Sequence, residues 1–187
     1  VVITVPAGCP VTLNLVSADA VVSGLSARTV VKTGAGNVTI DGVTGDVDAT
    51  TVSGEIEAQG LRGSVRFNSV SGALSLAGGM LDRLAAKTVS AKVTADIALN
   101  TGSQVQVATV AGEVALRLPA ATSAEVTLTS ATGRVDSAFP ELESGMRGVA
   151  RSMTGRLGEG AGKLSVSTVS GNVTLLSRPY NAELEEQ

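Results

Sequence analysis

Few side chains in this 187-residue chain could do chemistry, and histidine is not among them. Without it there is no Ser-His-Asp triad, no Cys–His pair and no imidazole-held metal. Cys9, the sole cysteine, precedes Pro10 with no base nearby in sequence, so it reads as an incidental thiol and excludes an internal disulfide. The remaining candidates are carboxylates: Asp46, Asp48, Glu55 and Glu57, with Arg62 and Arg66 among them. A pair of carboxylates flanking a glycosidic bond is the machinery of a glycosidase, and some parallel β-helix enzymes act on polysaccharides with acidic and basic residues alone. Here each charge alternates with an apolar residue, as solvated outer positions do. Two Phe, one Tyr and no Trp supply no aromatic platform for a sugar. The reading is therefore a non-enzyme, with no catalytic, cofactor-binding or metal-ligating residue assigned and no cofactor expected.

Other constellations fail on their spacing. A calcium β-roll needs G-G-x-G-x-D-x-U-x units. The position after the repeat glycine here is Asn37, Asp46, Glu55, Ser64 and Ala73, which gives no regular oxygen cage. Gly158–Gly162 is glycine-rich like a phosphate loop but lacks the following Lys-Ser/Thr and a helix, so a turn is expected. Arg147 and Arg151, with Arg156 just beyond and Met146 and Met153 near, form a basic loop that could contact a protein partner or an anionic glycan. Net charge is −3 with signs interspersed, so no nucleic-acid footprint stands out.

What must position these groups is a repeat. Gly36, Gly45, Gly54, Gly63 and Gly72 recur every nine residues. Apolar residues lie two before, two after and four after each: Val43, Val47 and Ala49; Val52, Ile56 and Ala58; Leu61, Val65 and Phe67; Val70, Leu74 and Leu76. Period-two alternation marks strands with one buried face, and glycine between strand pieces marks a turn or bulge. Apart from Asp41-Gly42, the units lack the tight Asn-Gly or Asp-Gly loops that hairpins favour. No short unit can bury its face alone, so the units must stack. The expectation is an all-β chain folded as a single parallel β-solenoid (β-helix), right-handed by the usual crossover rule, with about two strands per coil.

After Gly72 the period lengthens and the phrase persists: Thr88–Val93, Thr109–Val114, Thr132–Val135, Thr154–Leu157 and Thr168–Val173. Turn glycines are expected at Gly36, Gly45, Gly54, Gly63, Gly72, Gly112, Gly133, Gly155 and Gly171. With two units per coil, Gly36, Gly54, Gly72, Ala91, Gly112, Gly133, Gly155 and Gly171 form one column in that order. Beside it runs a ladder of Asn37, Glu55, Ala73, Lys92, Glu113, Arg134, Arg156 and Asn172. Val47, Ile56, Val65, Leu74, Val93, Val114, Val135 and Val173 should point inward. Gly78–Ala86 reads as a helical turn or bulged strand, and Phe139–Ser152 as an insertion loop. The solenoid domain is placed at 1–177 and a tail or linker at 178–187. Val1–Val5 and Val11–Val16 read as strands joined by a Pro6-Ala7-Gly8 turn. Pro179 should end pairing after Val173–Leu176, whereas the N-terminal end has no stop. That end is expected to be covered by upstream sequence or to pair with another copy. No apolar run is long enough for a transmembrane helix, and no signal peptide is visible.

The phrases TVSGEIEA, TVAGEVALRLPAATSAEVTLTSATGRVD and GRLGEGAGKLSVSTVSGNVTL resemble the bacterial DUF4097 family, a β-strand repeat family described as adhesins. That family is similarly built from T-x-S-G-[DNE]-[VI]-x-[VL] units, and its Leu-Pro, small-residue, Ala-Glu-Val connection resembles Leu118–Val126 here. The resemblance runs from about Val5 to Leu176, with Ala91 as a departure. It implies a β-solenoid and a non-catalytic interaction scaffold of the cell envelope, adhesin-like or tied to envelope stress. The other readings are a polysaccharide-active β-helix enzyme and a cytoplasmic structural module that associates through its ends.

Overall fold

A computed structural model describes residues 3–147 and 150–178. Alternating small aliphatics with polar residues leaves each strand one face to bury, and the chain does so by coiling. The first coil is β1 (Val11–Ser17) and β2 (Ala20–Ser23), and the second is β3 (Thr29–Ala35) and β4 (Val38–Asp41). Long strands follow: β5 (Thr44–Ser53), β6 (Ile56–Ser71), β7 (Leu74–Thr88) and β8 (Val93–Thr109). β6, β7 and β8 each pass from the second face of the solenoid to the first. β9 (Val114–Pro119), β10 (Ala124–Ser130) and β11 (Val135–Ser137) come next. Then come β12 (Glu143–Arg147), β13 (Ala150–Leu157), β14 (Gly162–Thr168) and β15 (Val173–Arg178). The described residues contain no helix, and all pairings are parallel except β10 with β13 and β12 with β13. The fold is an all-β, mostly parallel β-solenoid.

The early coils advance by eighteen residues: Val11 faces Thr29, Val47 faces Val65 and Ile56 faces Leu74. Between the two faces lies an aliphatic core with Ile56, Leu74, Val93, Val114 and Val173 at most 3% exposed. Val135 is only partly buried against it. Gly78–Ala86 is a bulged strand, with the register shifting around Asp82. The first corner is a column of close contacts. A Cβ on Gly54 would strike the carbonyl oxygen of Gly36, on Gly72 that of Gly54, and on Gly112 that of Ala91. The second corner carries Gly24, Gly42, Gly60 and Gly78, all near φ +60° to +66°. Only glycine adopts that conformation at little cost.

The late coils differ from the expected order. On the first face the strands run β8, β14, β10, β13, β12, so β14 lies between β8 and β10. On the second face β15 lies between β9 and β11. The glycine column therefore runs Gly112, Gly171, Gly133. Gly155 is outside it, inside β13 and opposite Val126. Gly45 and Gly63 likewise sit within β5 and β6 as kinks at φ +114° and +107°. The expected insertion loop is in part an antiparallel hairpin, β12–β13, lying along β10 at the end of the stack. Val173–Leu176 is thus an interior strand, because β15 lies between β9 and β11. Residues 3–6 are not in a strand, and Val1 and Val2 lie outside the described residues. Arg178 is the last residue of β15; the rest of the expected tail, Pro179 included, lies outside the described residues.

Candidate functional site

The phrase Thr-Val-Ser-Gly ends a first-face strand. Strand alternation turns its threonine in and its valine out. Thr33, Thr51, Ser69, Thr88, Thr109, Thr168 and Ser130 are register neighbours, and every one is buried. Ser130 Oγ donates to Gly171 O at 2.9 Å and accepts from Gly133 N at 2.8 Å. Thr33 Oγ1 donates to Ala35 O at 3.1 Å. The hydroxyls of Thr51, Ser69, Thr88, Thr109 and Thr168 find no hydrogen-bond partner among the described residues. Outside, Val52, Val70, Val89, Val110 and Val169 form an apolar ridge, each about half exposed. The apolar position two before the glycine is therefore buried only in every second unit, at Val43 and Leu61.

The ladder beside the glycine column has the same inserted order. Asn37 N is held by Asp19 Oδ1 at 2.7 Å, Glu55 N by Asn37 Oδ1 at 3.2 Å, and Arg134 N by Asn172 Oδ1 at 3.0 Å. Lys92 reaches Glu113 at 3.6 Å. Arg156 is absent from this ladder and pairs instead with Glu125 on the first face, at 3.3 Å.

The sequence candidates are divided by the coil. Glu55 stands at the first corner, Glu57 on the second face between Thr39 and Ser75, and Arg62 at the second corner opposite Thr44. Only Asp46, Asp48 and Arg66 come together, on the first face. The basic trio is not brought together. Arg151 faces Ser130, Arg156 faces Glu125, and their odd spacing along β13 puts them on opposite sides of the strand. The side chain of Arg147 lies outside the described residues.

Asp46, Asp48 and Arg66 join residues that sequence reading passed over. They line a shallow groove of about 280 Å³ with Arg28, Ser64 and Arg83. Asp46, Ser64 and Arg83 are successive register neighbours, and so are Asp48, Arg66 and Ala85. Arg66 Nη1 lies 3.6 Å from Asp48 Oδ2, beyond hydrogen-bond length. An adjoining hollow adds Lys32 beside Arg28 and Asp48. Strands sit about 4.8 Å apart, so Arg28 and Arg83, three strands apart, span roughly 14 Å. Three arginines against two carboxylates leave the groove net positive, and Lys32 adds a fourth cation beside it. The available signal was the coil step itself, since 28, 46 and 64 are eighteen residues apart and 83 follows the bulge.

Among the described residues no three Cys, Asp or Glu cluster as metal ligands do. No helix among the described residues is long and apolar enough to cross a membrane. The buried hydroxyl recurs from Thr33 to Ser130, and the outward valine follows it at five of the seven coil positions. The chain belongs to the Toastrack DUF4097 family, whose model matches residues 1–176. No curated protein and no solved structure matches it. The Toastrack match spans the glycine corners, the hydroxyl ladder and the inserted strands β14 and β15 up to Leu176.

Proposed function

We propose that this Toastrack protein is a non-catalytic scaffold of the bacterial cell envelope, adhesin-like, which holds an anionic glycan along the first face. The observation that carries the reading is the groove of Arg28, Arg66 and Arg83 on stacked strands, with Lys32 adjoining it. Guanidinium groups recognise carboxylate and sulfate by paired N–H donors, and a spread of roughly 14 Å suits several units of an extended polyanion better than one small ion. Asp46 and Asp48 space the cations and would repel a chain that docked out of register.

Binding of a polyuronate and of neutral dextran, measured by calorimetry at two salt concentrations, tests this. The polyuronate should bind in a salt-dependent manner, and dextran should not. Arg66→Glu or Arg83→Glu should each weaken binding roughly tenfold, the scale of one lost charge-assisted hydrogen bond. Equal binding of dextran, or full polyuronate binding by both variants, overturns the assignment. Release of new reducing ends from the polyuronate, lost in Asp46→Asn or Asp48→Asn, would replace the scaffold reading with the polysaccharide-active one.

A further inference from the structure

The inserted coil has no counterpart in the simple order of the chain. β9 leads directly to β10 through residues 120–123, and the coil step of twenty-one residues that relates β7 to β8 would continue into it. Leu84 to Val105 is one such step, and Val105 to Val126 would be the next. Instead a slot stands between the two coils, walled by β8 and β9 on one side and by β10 and β11 on the other. β14 and β15, which come later in the chain, fill it.

The slot recognises its occupant by generic means. Main-chain bonds cross both walls: Ser170 N to Val110 O and Val114 N to Asn172 O on one side, Ala131 N to Thr168 O and Val173 N to Arg134 O on the other. The inward residues of β14 repeat those of its neighbours. Leu164, Val166 and Thr168 lie between Val105, Val107 and Thr109 and the set Val126, Leu128 and Ser130. The segment enters through Gly158–Ala161, an outer turn in which Gly158 and Gly160 have φ of +54° and +71°. At its far end Arg178 Nε lies 3.3 Å from Asp96 Oδ1, a carboxylate that Arg117 also approaches, at 3.8 Å. That ion pair closes the slot on β8.

We propose that this slot is a strand-pair acceptor that takes β14–β15 from a second copy of the chain as well as from its own, giving a strand-exchanged dimer. A second copy carries the one segment that is complementary by construction to both walls. The glycine turn supplies a hinge, and the Asp96–Arg178 pair is the latch that must open first. Strand addition to sheet edges through main-chain bonds is an established mode of recognition, and exchange of an identical element is a low-cost route to dimers. The proposal is independent of the glycan reading.

The test uses the full chain with Cys9→Ser. One population carries Gln106→Cys and the other Ser165→Cys, at positions that face each other across β8 and β14. They are mixed, held a few degrees below the melting temperature, cooled and oxidised. The control pair, Thr50→Cys with Asn68→Cys, faces across β5 and β6, which follow each other directly in the chain and leave no slot between them. The expected result is a disulfide heterodimer from the first pair that is absent from the control. It should form faster when both partners also carry Asp96→Asn or, if that variant folds poorly, Arg178→Gln. A heterodimer equally abundant in the control means random collision and overturns the proposal. So does no heterodimer even with the latch removed.

Discussion

At the scale of the residue, the buried threonine and exposed valine of each Thr-Val-Ser-Gly phrase reverse the usual assignment of apolar and polar side chains. The inversion follows from geometry: the residue three before the corner glycine must point inward, where a hydroxyl can reach the amides of the turn. Ser130 does reach them, accepting from Gly133 and donating to Gly171. Thr88 does not, and its hydroxyl is buried without a partner among the described residues. The two sites should respond differently to loss of the hydroxyl. Ser130→Ala should lose about 1–2 kcal/mol of stability, as when a bonded buried group is removed. Thr88→Val should be neutral or gain up to about 1 kcal/mol, because an unmade bond disappears with its desolvation penalty. Urea denaturation of both variants decides; destabilisation of similar size at both sites would mean that Thr88 is bonded after all.

At the scale of the element, the corner is set by backbone approach. Gly72 needs no positive φ, yet a methyl there would meet the carbonyl of Gly54. Gly72→Ala should therefore destabilise by about 1–3 kcal/mol through overpacking alone, whereas Gly8→Ala, with open space around its Cα, should leave the thermal midpoint unchanged. Equal midpoints for the two variants would show that the column relaxes freely. Much of this was legible in the sequence, because a nine-residue glycine beat with alternating apolar residues has few solutions besides a two-faced coil. The strand order of the late coils was not legible. Gly112, Gly133 and Gly171 sit in near-identical phrases, and the step from 91 to 112 equals that from 112 to 133, so periodicity permits either neighbour. The hairpin at β12–β13 was hidden for another reason: Pro140 and Gly145 read as irregularity, and Gly155 copies the corner phrase while lying inside a strand. Arg28 and Arg83 escaped notice because they are single charges on separate coils, gathered beside Asp46, Asp48 and Arg66 only once the register is known.

At the scale of the whole molecule, the two ends of the solenoid are unlike. At one end the first face finishes in the antiparallel strands β13 and β12, and the second face in the short strand β11. At the other, among the described residues, β1 pairs only with β3 and β2 only with β4. Val11 donates its N–H to Arg28 O, so by strand alternation the N–H groups of Thr12 and Asn14 point toward the unpaired side. An open edge of this kind is a template for another strand, and Asn14 is exposed on it. Proline is tolerated on an edge strand where its missing N–H faces solvent, and there it blocks further pairing. Light scattering coupled to size-exclusion chromatography should therefore show concentration-dependent association of the wild-type chain and a monomer for Asn14→Pro, with little change in melting temperature. Strand exchange through the β14–β15 slot, which needs incubation near the melting temperature, should still occur in that variant after heating, and this separates the two modes of association. A wild-type chain that stays monomeric at high concentration, or an Asn14→Pro variant that associates as strongly, would show that the β1 edge is not the surface through which copies meet.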